Sequence, residues 1–143
     1  MLFRSQPRLD LARYLLAEDL WWEALGALGY AVDMDPALSN DREVRAMRGV
    51  ANVMTGRTKD AIADLQNATL DGNPEVAAWR GVAYGMNNDW SQARAQFEIA
   101  GDLFEGYPHE IATDLMVWKG RADRKSTRLN SSHSQQSRMP SSA

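Results

Sequence analysis

The sequence predicts an all-α fold, an α-solenoid of three antiparallel helical hairpins followed by one extra C-terminal helix. Apolar residues recur at the spacing of amphipathic helices, and helix-breaking residues separate the segments. Small residues recur at intervals of twelve and then seven positions, with copies offset by 37 and 32 residues. Small side chains let helices approach closely, and repeats of this length are typical of stacked hairpins. The small positions are Ala12, Ala24 and Ala31; Gly49, Ala61 and Ala68; and Gly81, Ala93 and Ala100.

The first hairpin is predicted over residues 9–35. Leu11, Ala12, Leu15 and Leu16 form one apolar stripe at helical spacing. Asp19 is expected to cap the second helix. The second helix ends before Pro36, because the residue that precedes a proline disfavours helix.

The second hairpin begins with a capping signal and ends with a turn signal. Ser39 or Asn40 is predicted to start the third helix. Gly56 suits the left-handed conformation that follows a helix, and Thr58 is expected to cap the fourth helix. The second hairpin is therefore predicted to end near the Asp-Gly-Asn-Pro turn at residues 71–74.

The third hairpin has the clearest boundaries. Asn73 is a natural cap and Pro74 fits the first helical turn, while Asp89 with Gln92 resembles a capping box for the sixth helix. A seventh helix is predicted after Pro108. It lacks a following partner helix, so part of its apolar side is expected to remain exposed and to favour self-association. The residues concerned are Ile111, Leu115 and Trp118.

The two ends of the chain differ from the rest. From residue 123 the sequence is rich in Ser and has no aromatic residue, so it is predicted to be disordered. The ends resemble a translated short-read sequencing adapter, whose read-through encodes residues 123–133, whose far end encodes residues 137–143, and whose opposite strand fits residues 1–5. Residues 1–5 and 123–143 are therefore expected to be artefacts, and residues 6–122 to form the repeat domain. A natural Ser-rich tail is the alternative.

The charge of the central region opposes binding to phosphate. The chain has 16 basic and 19 acidic residues, of which the two ends hold five bases and one acid. Residues 6–122 thus keep 11 bases and 18 acids, a net charge of −7. This balance predicts no nucleic-acid partner. The absence of Cys excludes disulfides and thiolate metal sites, and no apolar run approaches the roughly 18 residues that predict direct membrane insertion.

On the small positions given above, the chain resembles the tetratricopeptide repeat (TPR) family over residues 8–120. Bulky residues stand between the two Ala positions of each second helix, and prolines lie at or beside the family's proline place. The chain departs from the pattern where Arg48 and Arg80 precede the small Gly. The resemblance implies a fragment of a bacterial TPR protein. The bulky residues are Leu28, Leu65 and Phe97, and the prolines are Pro36 and Pro74.

The resemblance also implies a function, that of a protein–protein interaction scaffold. Stacked hairpins leave a concave surface lined by their first helices, which can hold a peptide or a partner helix. An internal structural spacer within a longer solenoid is the alternative. The family's groove positions correspond to Leu9, Arg13, Leu16, Glu43, Ala46, Val50, Val53, Ala78 and Val82.

The sequence offers little support for chemistry. His109 is a lone candidate base without Cys or a second credible His. Asp60 with Asp64, and Glu110 with Asp114, have helical spacing that a metal could use, but solvated acidic faces are favoured. We therefore expect no enzyme activity, no catalytic or metal site and no cofactor.

Two further side-chain patterns have alternative interpretations. Arg48 and Arg80 could bind a carboxylate ligand, but pairing with an acid on a neighbouring helix is favoured. Trp21 and Trp22 are adjacent and cannot point in the same direction on a helix. One of the two is therefore predicted at the surface.

Overall fold

The computed structural model describes residues 6–102 and 106–138, with the side chains of Pro7 and of residues 9–102 and 106–128. These residues form helices without strands, which confirms the all-α class. The predictions for residues 1–5 and 139–143 lie outside the described residues. The α-helices are α1 (Gln6–Ala17), α2 (Trp21–Met34), α3 (Arg42–Met54), α4 (Thr58–Leu65), α5 (Pro74–Met86), α6 (Trp90–Ala100) and α7 (His109–Arg138). Short 3₁₀ helices at Pro36–Asn40 and Ala68–Leu70 precede α3 and α5.

Each α-helix packs against the next one in the chain. The odd-numbered helices also contact one another: α1 contacts α3, α3 contacts α5, and α5 contacts α7. Buried residues form two apolar clusters, one around Leu28 and Val44 and a larger one around Leu65, Phe97 and Leu115. The odd-numbered helices therefore form one continuous layer.

Most of the small residues lie where helices pack. Eight of the nine are buried, and a Cβ added to Gly49 would lie 2.4 Å from Leu65 Cδ2. A Cβ on Gly81 would lie 2.8 Å from Phe97 Cζ. The expectation was wrong for Ala68, which is exposed. Because α4 ends at Leu65, the 3₁₀ turn that follows turns Ala68 outward and buries Leu70 instead.

The structure confirms two of the predicted helix boundaries, and it places a third at a different residue. The Asn73 carboxamide oxygen accepts from the backbone N–H groups of Glu75 (2.9 Å) and Val76 (3.2 Å), as a cap should. Gly56 has φ 77°, in the left-handed region. Neither Ser39 nor Asn40 caps α3, because both lie in the preceding 3₁₀ helix and the Asp41 carboxylate does so instead.

Three predicted caps are wrong. Asp19 has φ 59° and lies one residue too early, and no side chain caps α2. Thr58 is itself the first residue of α4. Asp89 precedes α6, but its carboxylate accepts from Asn87 Nδ2 (2.8 Å) rather than from the helix backbone. Each of these residues had the right chemistry without the required position or backbone geometry.

Helix α7 begins just after Pro108, as predicted, and packs against α5 and α6. Ile111 and Trp118 are partly exposed, as expected, but Leu115 is buried and its predicted exposure is wrong. Met116 and Val117 are exposed instead. Although α7 has 30 residues, neither it nor any other described helix is apolar enough over a sufficient length to cross a membrane.

The structure differs from the predicted disorder after residue 122, since α7 continues to Arg138. Ala122 and Ser126 are buried, and Asp123 Oδ1 lies 3.8 Å from Arg94 Nε on α6. A helix that has already formed its first turns extends at low cost for each added residue, so a polar composition did not exclude helix here. The adapter origin of this sequence stays a prediction.

Candidate functional site

A groove of about 690 Å³ runs across the layer of odd-numbered helices. Leu16 comes from α1, Ala46 and Val50 from α3, Trp79 from α5, and Ile111 from α7. These side chains are apolar, so the groove has an apolar base. It crosses helices that are far apart in sequence, which makes it an extended site rather than a cleft within one hairpin.

Four of the nine predicted groove residues line this groove. They are Leu16, Glu43, Ala46 and Val50. Arg13 is exposed and reaches the groove through Glu43, to which it is hydrogen-bonded. Leu16 of α1 and three α3 residues, Glu43, Ala46 and Val50, therefore lie together along the same groove.

The other four predicted residues do not line this groove. Leu9 and Ala78 are buried in the apolar core. Val53 and Val82 are largely buried and line a smaller pocket of about 260 Å³. This pocket adjoins the groove, since Trp79 and Ile111 line both.

Sequence reasoning missed the α5 and α7 side of the groove. Glu75, Val76 and Trp79 line it from α5, and Tyr107 lines it from the segment before α7. The prediction named Ala78, one position from Trp79, and a step of one residue turns a side chain by about 100° around a helix. For Tyr107 the only local signal was an aromatic residue directly before the proline that starts a helix.

An ion pair joins α1 to α3 at one end of the groove. The Arg13 guanidinium donates from Nε to Glu43 Oε1 (2.5 Å) and from Nη2 to Glu43 Oε2 (2.7 Å), and it also pairs with Asp10. The hydrogen bond from Arg13 lowers the pKa of Glu43, although burial opposes that shift. The same bond raises the pKa of Arg13. The pair fixes Glu43 at the edge of the groove.

Glu43→Gln is expected to reduce stability at neutral pH only. Glu43 is 49% exposed in its side chain, so the pair contributes up to about 1 kcal/mol. A carboxylate whose pKa is lowered on folding stabilises the fold above its unfolded pKa of about 4.3, and this contribution is lost as the pH falls through the lower folded value. Urea unfolding should therefore show a loss of up to about 1 kcal/mol at pH 7 and none near pH 2.

Glu18→Gln, at an exposed position after α1, is the control for this pH dependence. Its effect on the free energy of unfolding should be the same at pH 7 and near pH 2. An equal loss for Glu43→Gln at the two pH values would show that the Arg13 pair is not its cause.

A second polar contact fixes the opposite wall. Tyr107 Oη donates to Glu75 Oε1 (2.5 Å), and Tyr107 is half-buried. Burial and the neighbouring carboxylate raise the pKa of Tyr107 well above its usual value. The phenol is therefore neutral, and it ties the start of α7 to the first turn of α5 while leaving the charge of Glu75 in place.

The two repeated arginines serve the fold and are not among the groove-lining residues. Arg48 donates to the Asp64 carboxylate from Nε (2.9 Å to Oδ2) and Nη2 (2.8 Å to Oδ1). Arg80 donates from Nη2 to Asp71 Oδ1 (2.8 Å). The favoured interpretation, pairing with an acid on a neighbouring helix, is confirmed for Arg48, because Asp64 lies on α4. It is wrong for Arg80, whose partner Asp71 lies in the turn after the 3₁₀ helix Ala68–Leu70. The pairing with Arg48 occupies Asp64, which had been considered as half of a metal site.

The remaining candidates for chemistry lie apart from one another. His109 is exposed at the first residue of α7, and Asp60 pairs with Arg57 on the surface of α4. Glu110 and Asp114 are exposed on α7. In the part of the chain that the structure describes, no group of three or more His, Cys, Asp or Glu residues is arranged to hold a metal.

Of the two tryptophans predicted to diverge, Trp22 is 61% exposed, whereas Trp21 is half-buried and lines the groove. The groove is therefore apolar at its base, aromatic at several points and acidic at its edges.

No protein-family model matches the chain, and no curated protein matches it.

Proposed function

We propose that the chain is a TPR-like α-solenoid. Three hairpins are formed by α1 with α2, α3 with α4, and α5 with α6. In the second hairpin Gly49 packs on Leu65, and in the third Gly81 packs on Phe97 at the equivalent position. Helix α7 contacts α5 and α6 as α5 contacts α3 and α4. It thus takes the place of the first helix of a fourth repeat.

The groove is proposed to bind a segment of a partner protein, either an extended peptide or a helix. The observation that carries this proposal is the groove of about 690 Å³ that crosses α1, α3, α5 and α7. Apolar side chains at its base can bury apolar side chains of the partner, and fixed polar groups at its edges can orient it. Such a scaffold needs no catalytic residue and no cofactor.

Val50→Glu is expected to abolish peptide binding without unfolding the protein. Val50 is partly exposed in the groove, so a carboxylate there replaces apolar contact with a charge that must lose water when a ligand binds. The probe is a phage-displayed library of random short peptides. Enrichment on the wild-type protein should fall about tenfold or more on the Val50→Glu variant.

Val117→Glu is the matched control, because Val117 is exposed on α7 and is not among the groove-lining residues. It should retain the enriched peptides. Titration of an enriched peptide should also change the tryptophan fluorescence, since Trp79 and Trp21 line the groove. If no peptide is enriched, or if the two Glu variants lose binding equally, the groove is not the binding site.

A further inference from the structure

The acidic side chains that line the groove define the chemistry of the partner. We infer that the segment bound in the groove is cationic as well as apolar, with Lys or Arg side chains beside at least two apolar anchors. This inference deepens the proposed function and rests on it.

The charges of the groove are predominantly negative. Asp41, Glu43 and Glu75 line it, with Arg42 as the basic residue among the lining side chains. Asp114 lines the adjoining pocket. These carboxylates border the apolar base, so a ligand that fills the groove brings its flanking residues close to them.

Two basic side chains, Arg42 and Arg13, offset only part of the charge of the three carboxylates that line the groove. Arg13 pairs with Glu43. The Asp41 carboxylate accepts from backbone N–H groups at the start of α3, and Glu75 accepts from the neutral phenol of Tyr107. Hydrogen bonds from neutral donors leave the net charge of a carboxylate unchanged.

The adjoining pocket adds a second place for an apolar anchor. Trp79 and Ile111 line both cavities, so they lie where the two meet. A segment that lies along the odd-numbered helices can place one apolar side chain on each side of these two residues. Glu75 then lies near the residues that flank the first anchor in the bound segment, and Asp114 lies near those that flank the second.

The charge of the whole central region acts in the same direction. Residues 6–122 carry 11 bases and 18 acids, so a cationic segment is attracted before contact and an anionic one is repelled. A complementary charge raises the rate of association and selects against wrong partners. The acidic edges therefore discriminate among segments that all have suitable apolar anchors.

The test uses three pooled sets of short fluorescein-labelled synthetic peptides, measured by fluorescence anisotropy. Each peptide of the first set has two Leu anchors, with Lys and Ser at all other positions. The number of residues between the two Leu differs from one peptide to the next, so that the set covers all short spacings. The second set replaces Lys by Glu, and the third replaces Leu by Ser. The first set should bind at least about tenfold more tightly than either of the others, and its advantage over the Glu set should shrink with added salt.

Variants of the protein then assign the effect to particular carboxylates. Glu75→Gln and Asp114→Asn should each weaken binding of the Leu/Lys set by about two- to fivefold, the value of an exposed ion pair. Asp33→Asn is the control, since Asp33 is exposed on α2 and lies outside both cavities. It should change binding by less than about twofold.

The outcomes separate this inference from the proposed function. If the Leu/Glu set binds as well as the Leu/Lys set, or if the Glu75 and Asp114 variants match Asp33→Asn, the partner is not selected by charge and the inference fails while the groove proposal stands. If the Ser/Lys set binds as well as the Leu/Lys set, the apolar anchors are wrong. If none of the sets binds although phage-displayed peptides do, the inference alone fails; if neither binds, both fail.

Discussion

Arg80→Met is expected to lower the free energy of unfolding by about 2 to 4 kcal/mol. Arg80 is only 8% exposed. Its guanidinium donates from Nε to the Leu65 carbonyl oxygen (2.6 Å) and from Nη2 to the Asn67 carbonyl oxygen (3.0 Å), besides its pair with Asp71. Met keeps most of the apolar stem but removes all of these donors at once.

The size of the effect follows from where the acceptors lie. Leu65 is the last residue of α4, and the final carbonyl groups of a helix have no partner within it. Arg80, on the following hairpin, supplies that partner and so joins the second hairpin to the third. Losing the buried charge recovers some desolvation energy, which is why the expected loss is less than the sum of the separate hydrogen bonds.

Urea unfolding of Arg80→Met should show a lower midpoint with an unchanged m value. Arg57→Met is the matched control, because Arg57 pairs with Asp60 on the exposed surface of α4 and should cost less than about 1 kcal/mol. Arg80→Lys should fall between the wild type and Arg80→Met, since an ammonium group cannot reproduce the fork of donors. Equal losses for Arg80→Met and Arg57→Met would contradict the structural role assigned to Arg80.

Local signals predicted much of the helical framework. Asn73 with Pro74 and Gly56 act through their own backbone and side-chain geometry, so their roles are readable from adjacent residues. The small-residue spacing succeeded for a different reason: Gly49 and Gly81 have no space for a side chain against their neighbouring helices. A pattern that repeats because packing requires it is visible without coordinates.

The groove was predicted only on the side where the register happened to be right. Leu16, Ala46 and Val50 line it, but buried Ala78 was named where Trp79 lines the groove. The periodicity of apolar residues shows that a helix has a buried side, but it does not fix the rotation of the helix about its axis to within one residue. That rotation decides which side chain points into a groove. Tertiary packing of α5 against α3 and α7 fixes that rotation, and no local signal does.

The same limit explains the error at the end of α4. The small-residue spacing placed Ala68 in a helix, but α4 is only eight residues long and ends at Leu65. Burial of Leu70 and the bonds from Arg80 to the Leu65 and Asn67 carbonyls stabilise the shorter helix. These contacts come from the third hairpin, so they could not be inferred from the second.

Gly81→Val is expected to cost about 3 kcal/mol, the upper part of the range for overpacked cores. A Cβ at this position would lie 2.8 to 2.9 Å from three ring atoms of Phe97. Phe97 is 1% exposed and its ring cannot bend, so the ring or the α5–α6 spacing must shift. Val also adds two methyl groups beyond that Cβ. Thermal and urea unfolding measure the loss.

Gly29→Val separates steric effects from helix propensity, because Gly29 lies on the exposed side of α2 with nothing within 4 Å of an added Cβ. It should change stability by no more than about 0.5 kcal/mol, since Val and Gly differ little in helix propensity. Phe97→Leu creates space opposite Gly81, so the double variant Gly81→Val/Phe97→Leu should lose less than the sum of the two single losses. Strict additivity would mean that the Gly81–Phe97 contact does not set the distance between α5 and α6.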